Sequence, residues 1–283
     1  MSRIAYVNGQ YVPHLDAAVH IEDRGYQFAD GVYEVIPVVN NKLIGEEGHL
    51  DRLWRSMEEL KMAEPMKRKP LEMVMREVLR QNGVENGLIY LQVTRGVAPR
   101  DHPFPRDAVS SLVMTAKKTS PEKAEAKAAK GVSIITVPDI RWARRDIKSV
   151  SLLPNVLAKQ EAVEKGAYEA FQVDEEGFIT EGSSTNAWII TQDGTLVTRP
   201  TGNDILAGIT RADLLKLLEQ KNYKVELRPF TVEELQNARE VFLTSSSSYV
   251  LPIVEVDGKP VGNGHPGSIS NDLRGIFKDF MNN

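Results

Sequence analysis

The chain contains no cysteine among its 283 residues. Disulfides, zinc–thiolate sites, iron–sulfur clusters and thiol nucleophiles are thereby excluded, and the absence fits a reducing compartment. Long hydrophobic runs are missing too. Nothing approaches the roughly 18 consecutive apolar residues of a membrane span, and the opening stretch MSRIAYVNGQYVPHLD has no apolar core of a secretory signal. The expected location is the cytoplasm. There is no excess of positive charge either: Lys and Arg number 35 against 39 Asp and Glu, a formal net charge of −4. That balance speaks against nucleic acid or an anionic membrane as the main partner. The five histidines, at 14, 20, 49, 102 and 265, show no i, i+4 pairing, so no metal site is expected. With 41% hydrophobic and 26% charged residues, the chain is an ordinary globular one, long enough for one large core or two domains.

The pattern along the chain mixes strands and helices. Asn8-Gly9 between two short apolar runs reads as a hairpin with a type I′ turn. Val32 to Val39 is a strand candidate ended by Asn40-Asn41, and the apolar stripe at 50, 53, 54, 57 and 60 predicts a helix. A second helix over Leu71 to Asn82 stops at Gly83, and strands follow at Leu88 to Thr94 and Leu112 to Ala116. Residues 119–130 are polar and alanine-rich and read as an interdomain link, dividing a small N-terminal domain (1–118) from a larger C-terminal one (131–283). A solvated surface helix is the alternative for that stretch. Beyond it, Val132 to Val137 reads as a buried strand and Pro154 opens a helix that Gly166 closes. Two hairpins, a helix from Arg211, a capping box at Thr231 and Glu234, a strand at Glu240 to Thr244 and a last helix complete the chain. The mixed order predicts α+β or barrel-like domains rather than a doubly wound sheet.

Several motif-like strings carry no chemistry. Gly262 to Gly267 matches G-x-G-x-x-G by letter, but too little chain follows it for the strand–helix–strand unit of a dinucleotide site. The serines 245–248 lack the G-x-S-x-G setting of a nucleophile. More promising is Gly208-Ile209-Thr210-Arg211-Ala212-Asp213. Thr210 and Asp213 resemble a helix N-cap arrangement behind a glycine, and such a terminus offers free N–H groups to a phosphate. The hydroxyls after Thr244 add a second phosphate-binding element.

Five blocks, in order, resemble the class IV aminotransferases. They are DRGYQFADGVYE (23–34), HLDRL (49–53), DIKS (146–149), EGSSTN (181–186) and LAGITR (206–211). A sixth stretch, TRGVAPRDHPFP (94–105), resembles the carboxylate-trapping loop of the D-amino acid branch of that family. The resemblance implies a two-domain, fold-type IV α+β enzyme, with a small N-terminal domain and a larger C-terminal pseudo-barrel, using pyridoxal 5′-phosphate.

By the same resemblance, Lys148 forms the Schiff base with the cofactor and carries the proton, and Glu181 partners the pyridine nitrogen. Lys148 is also read at a strand end, beside an apolar stretch. A free lysine titrates near ~10.4, so a catalytic one needs desolvation or neighbouring positive charge. Arg52, the backbone of Ile209 and Thr210, and the hydroxyls of Ser245 and Ser246 are implied phosphate ligands, with Leu206 packed on the ring. Arg100 and His102, assisted by Tyr33, are implied to hold the substrate α-carboxylate. Glu34 receives no role. The implied reaction is ping-pong exchange of an amino group between a D-amino acid and a 2-oxo acid, in a homodimer. Other class IV enzymes (branched-chain L-aminotransferase, (R)-amine transaminase, aminodeoxychorismate lyase) share the cofactor residues, and a non-enzymatic cofactor carrier is the alternative of a different class.

Overall fold

The computed structural model describes residues 3–282. They form two compact units, one of residues 3–120 with Ile147–Ser151, the other of Pro121–Asp146 with residues 152–282. In the first unit, β1 (Ile4–Val7) and β2 (Gln10–Pro13) form the expected hairpin, with φ of 46° at Asn8 and 95° at Gly9 as a type I′ turn requires. Next come the single turn α1 (Arg24–Phe28), β3 (Gly31–Val39), β4 (Lys42–Leu43), α2 (Glu46–Glu59), α3 (Arg68–Asn82), β5 (Gly87–Thr94) and β6 (Ser111–Lys118). The strands make one antiparallel sheet in the order β2-β1-β6-β5-β3-β4. Leu50, Leu53 and Met57 of α2 and Leu71, Met75 and Val78 of α3 form one core with Val32, Ile36 and Val38 of β3 and with Ile89, Leu91 and Val93 of β5. Alternation along β3 sends residues 32, 34, 36 and 38 to that buried row and leaves Tyr33 half-exposed on the other. Glu34 is thus a charged residue in an apolar row.

In the second unit, residues 121–130 of the stretch expected as a link are helical, α4 (Pro121–Lys130). Ala128 is buried in the unit's core, and Glu125 accepts Arg274 at 2.9 Å and Lys278 at 3.1 Å. The remaining elements are β7 (Val132–Pro138), α5 (Leu153–Glu164), β8 (Glu169–Val173), β9 (Ile179–Gly182), β10 (Asn186–Ile190), β11 (Leu196–Thr198), α6 (Ile209–Gln220), β12 (Val225–Leu227), α7 (Val232–Gln236), β13 (Glu240–Ser245), β14 (Tyr249–Val256), β15 (Lys259–Pro260) and α8 (Ser268–Asn282). They build a curled mixed sheet in the order β12-β11-β10-β13-β14-β7-β8-β9, with β15 on β14. The parallel pair β7–β8 is bridged by α5, as parallel strands require. The glycine-rich string 262–267 is the turn before α8, whose first N–H groups (Ile269, Ser270) are accepted by the Glu240 carboxylate.

Candidate active site

Lys148 lies in irregular chain in the first unit, held by its backbone rather than by a strand. Its carbonyl accepts the Tyr33 N–H at 3.0 Å and its N–H donates to Ser56 Oγ at 3.3 Å, while Val150 N–H reaches Gly31 O at 3.0 Å. The strand-end expectation is corrected accordingly: only Ser149 forms a ladder bridge, to Val32. These bonds bring the Lys148 ammonium 4.1 Å from the centroid of the Tyr33 ring, so the structure brings together two residues to which the sequence reading gave separate roles. Tyr33 in turn lies against Tyr90, ring centroids 5.8 Å apart.

Behind them, Glu34 is fully buried and takes its partners from α2, which packs on that row. Arg52 donates Nε and Nη2 to its two oxygens, each at 2.7 Å, and His49 Nδ1 lies 2.7 Å from Oε2. Burial alone would raise the Glu34 pKa, but the charge and hydrogen bonds of Arg52, with those of His49, hold it at about 2. Burial pushes His49 down from its ordinary value against the pull of Glu34, and the charges of Arg52 and Lys148 add to the lowering. Arg52 is therefore a buried, charge-compensated arginine, not a helix-surface one.

The sign of the resulting pH dependence is fixed. Both Glu34 and His49 bind protons more weakly folded than unfolded, so both contribute stability at neutral pH that is lost on acidification. For Glu34 the loss falls between its ordinary value near 4.5 and about 2. The urea midpoint of wild type should exceed that of Glu34→Gln by the most at pH 7, and the gap should close as pH falls through that window. A gap independent of pH would contradict the assignment.

In the second unit, Glu181, next to last in β9, has its side chain in a buried pocket of donors. Arg141 donates to Oε1 at 2.5 Å, Asn186 Nδ2 to Oε2 at 2.9 Å, and the Leu206 N–H to both oxygens at 3.2 Å. Burial pushes the Glu181 pKa up despite Arg141. Burial likewise opposes the Arg141 charge, yet hydrogen bonding to Asp139 and the Glu181 charge raise its pKa above the ordinary arginine value. Asn186 also donates to Leu206 O at 3.0 Å, tying the Glu181 pocket to the start of α6. The sequence places the cap of α6 at Thr210; the structure places it at Gly208, in extended conformation and with no side chain capping the helix. Position 208 itself has room only for glycine, since a Cβ there would fall 2.0 Å from Asn186 Oδ1. Ile209 and Thr210 form the first turn, whose N–H groups are those a helix leaves to an external acceptor. Across the β10–β13 ladder, Asn186 is opposite Thr244, just before Ser245 and Ser246. Ser245 Oγ accepts the Ser248 N–H at 3.2 Å, while Thr244 is committed to the Trp188 indole N–H at 3.1 Å.

Arg100 and His102 are exposed on the loop after β5 and meet over the Phe28 ring. The Arg100 guanidinium is 4.9 Å and the His102 ring 5.5 Å from its centroid. Among the described residues, no hydrogen bond, ion pair or ring contact joins this pair to Tyr33.

The amino-transferase class IV family matches residues 31–256. The D-alanine aminotransferase of Staphylococcus haemolyticus is 41% identical over 276 residues, covering 98% of this chain and 97% of its own length. This chain belongs to the class IV aminotransferases. The D-alanine aminotransferase of Bacillus licheniformis is 40% identical over 274 residues, 97% of this chain and 95% of its own. Among solved structures, the branched-chain amino acid aminotransferase of Escherichia coli superposes with a TM-score of 0.90 at 23% identity, covering 99% and 95% of the two chains, and so shares the fold. The T.th. branched-chain amino acid aminotransferase with pyridoxamine 5′-phosphate gives a TM-score of 0.91 at 25% identity, covering 99% and 94%.

For a class IV aminotransferase, the sequence reading leaves out Arg141, Asp139 and Asn186. Asp139 has a fully buried side chain that accepts Arg141 at 2.7 Å and Thr180 at 2.8 Å, fixing the guanidinium on Glu181. Asn186 ends the EGSSTN block, so the block itself was the available signal. Arg141 and Asp139 carry no local pattern at all.

Proposed function

We propose that this class IV aminotransferase moves an amino group between a D-amino acid such as D-alanine and a 2-oxo acid such as 2-oxoglutarate, with pyridoxal 5′-phosphate as its cofactor. The observation that carries the reading is the 41% identity with a D-alanine aminotransferase across 98% of the chain. The residues present suit the cofactor. The first turn of α6, which no side chain caps, offers backbone N–H groups to a phosphate, and Glu181 is a buried carboxyl ringed by donors that suits a ring N–H. When bound, the cofactor supplies an aldehyde for the amino group and an electron-withdrawing ring.

Each residue then has a task. Lys148 holds the cofactor covalently and, once released, moves the proton at the substrate Cα. Tyr33 lies under its ammonium and limits where that group can swing. Glu181, its proton affinity raised by burial, is a strong acceptor for a ring N–H. Ile209, Thr210, Ser245 and Ser246 donate to the phosphate, and Leu206 packs on the ring. Arg52, kept in one orientation by Glu34, is the cationic phosphate ligand. Arg100 and His102 bind the α-carboxylate. A homodimer in the cytoplasm completes the proposal. It is supported by the absence of cysteine and by exposed apolar side chains of the first unit, Leu15, Ile21, Tyr26 and Val109, which a second copy could cover.

The test pairs purified protein with pyridoxal 5′-phosphate, 2-oxoglutarate and either D-alanine, L-leucine or (R)-1-phenylethylamine. Faster turnover of L-leucine or of the amine than of D-alanine would overturn the assignment. Arg100→Leu should lower kcat/KM for D-alanine by roughly 10–1000-fold, because a hydrogen bond to a charged group is worth ~1.5–3 kcal/mol and a stranded carboxylate costs more. An unchanged kcat/KM would take Arg100 out of the substrate site.

A further inference from the structure

The stretch DRGYQFADG (23–31) opens the first of the family-like blocks in the sequence, yet the chemistry above gives it nothing to do. Its side chains find their use in the loop that leaves β5. Backbone bonds first lace the two segments together: Arg24 N–H to Gly96 O at 2.9 Å, Arg95 N–H to Asp30 O at 3.1 Å, and Ala98 N–H to Glu22 O at 3.3 Å. Asp23 accepts the Gly25 N–H at 2.8 Å and the Thr94 hydroxyl at 2.9 Å. Gly96 turns the chain at a φ of +94°, where an added Cβ would fall 1.9 Å from Val109 O. The start of the loop is therefore fixed before any side chain grips its tip.

Two buried arginines then converge on one carboxylate. Arg24 Nε and Arg95 Nε both donate to Asp30 Oδ2, at 2.8 and 2.7 Å, and Arg95 Nη2 donates to Oδ1 at 2.9 Å. The remaining donors of Arg24 reach the carbonyls of Asp101 at 2.6 Å and His102 at 3.2 Å. Arg95 lies 3.6 Å over the Phe104 ring. The Phe28 ring receives Arg24 at 4.8 Å on one side of this arrangement and Arg100 at 4.9 Å, with His102 beside it.

We propose that Arg24, Phe28 and Asp30 form a positioning clamp that holds Arg100 and His102 in register to capture the carboxylate of the substrate. The proposal rests on the reading of Arg100 and His102 given above, and deepens it. Asp30 is the keystone because it pairs with two buried guanidinium groups, one of which grips the backbone at 101 and 102. Although burial works to raise its pKa, hydrogen bonds from Arg95 and Arg24 hold its carboxyl below the usual range. The Phe28 face adds cation–π attraction for Arg100, so that two cationic side chains and an imidazole share one apolar platform. A loop held this way meets the substrate already ordered, and the ordering is not charged to binding.

Asp30→Asn in the holoenzyme is the test. Amide hydrogen exchange over residues 96–105 should speed up by about 10-fold or more as the local opening free energy falls, and KM for D-alanine should rise by about 10-fold with kcat changed far less. A merely structural defect gives the other split, a lower kcat from fewer active molecules at unchanged KM, and that result would overturn the proposal, as would unchanged exchange. Where Asp30→Asn does not fold, Phe28→Leu should raise KM about 2–5-fold and Phe28→Tyr, which keeps the ring, should restore it; equal KM in all three overturns the clamp. Arg100→Leu is run alongside. If its KM is unchanged while Asp30→Asn still frees the loop, the carboxylate reading fails and the clamp on the loop stands.

Discussion

Lys148→Ala should reduce turnover of D-alanine by at least about 10²–10⁴-fold, the usual worth of a positioned proton-transfer group, and abolish covalent attachment of the cofactor. Borohydride, which makes a lysine-bound cofactor permanent, should add the cofactor's mass to the wild-type chain and none to the variant. The fold should survive, because what anchors this segment is backbone: Lys148 N–H to Ser56, Tyr33 N–H to Lys148 O, Val150 N–H to Gly31 O. Alanine keeps all three. The side chain's own contact is the Tyr33 ring, 4.1 Å from the ammonium. One more consequence follows from charge. The Lys148 ammonium contributes to the depressed pKa of His49, so the variant's His49 should titrate higher than that of wild type in an NMR titration. Lys148→Arg should fail as the alanine variant does, since a guanidinium neither makes that bond nor gives up its proton in this pH range. Near-normal turnover in either variant would end the aminotransferase reading of this lysine.

What could be read in the sequence was local. The stripe of Leu50, Leu53 and Met57 predicts α2, Asn8-Gly9 predicts its turn, and Thr231 with Glu234 makes the capping box in the structure as its spacing predicts. What could not be read depends on register between distant segments. Glu34 is one letter in a strand until β3 alternation sends it inward against α2, where Arg52 is 18 residues away. Asp30 meets Arg95 across 65 residues, and Arg141 meets Glu181 across 40, with nothing in either spacing to announce a pair. Pro252 hides β14, because a proline argues against a central strand. The start of α6 is also hidden from the sequence: Thr210 has the chemistry of a cap, yet the helix begins behind Gly208 with no side chain capping it, and the contact of Gly208 with Asn186 spans 22 residues.

Glu181→Gln tests the other half of the chemistry. The carboxylate accepts from Arg141, Asn186 and Leu206 at once, and burial has raised its affinity for a proton. Gln keeps the shape but brings an NH2 group into a ring of donors, so one of the bonds to Arg141, Asn186 or Leu206 must open. It also removes the negative charge that would keep a cationic ring nitrogen protonated. Removing one preorganised electrostatic partner of a developing charge typically costs 10²–10³-fold in kcat, and a loss of about that size is expected here. Cofactor retention should change much less, because the groups assigned to the phosphate, Arg52 and the first turn of α6, are untouched. The comparison with Glu181→Asp separates charge from shape: Asp keeps the charge and withdraws it by one methylene, so it should recover part of the lost rate while disturbing the donor ring at least as much. If Gln and wild type turn over D-alanine equally, Glu181 does not serve the ring nitrogen. If Asp and Gln are equally impaired, its contribution is the geometry of the Arg141–Asn186–Leu206 pocket rather than its charge.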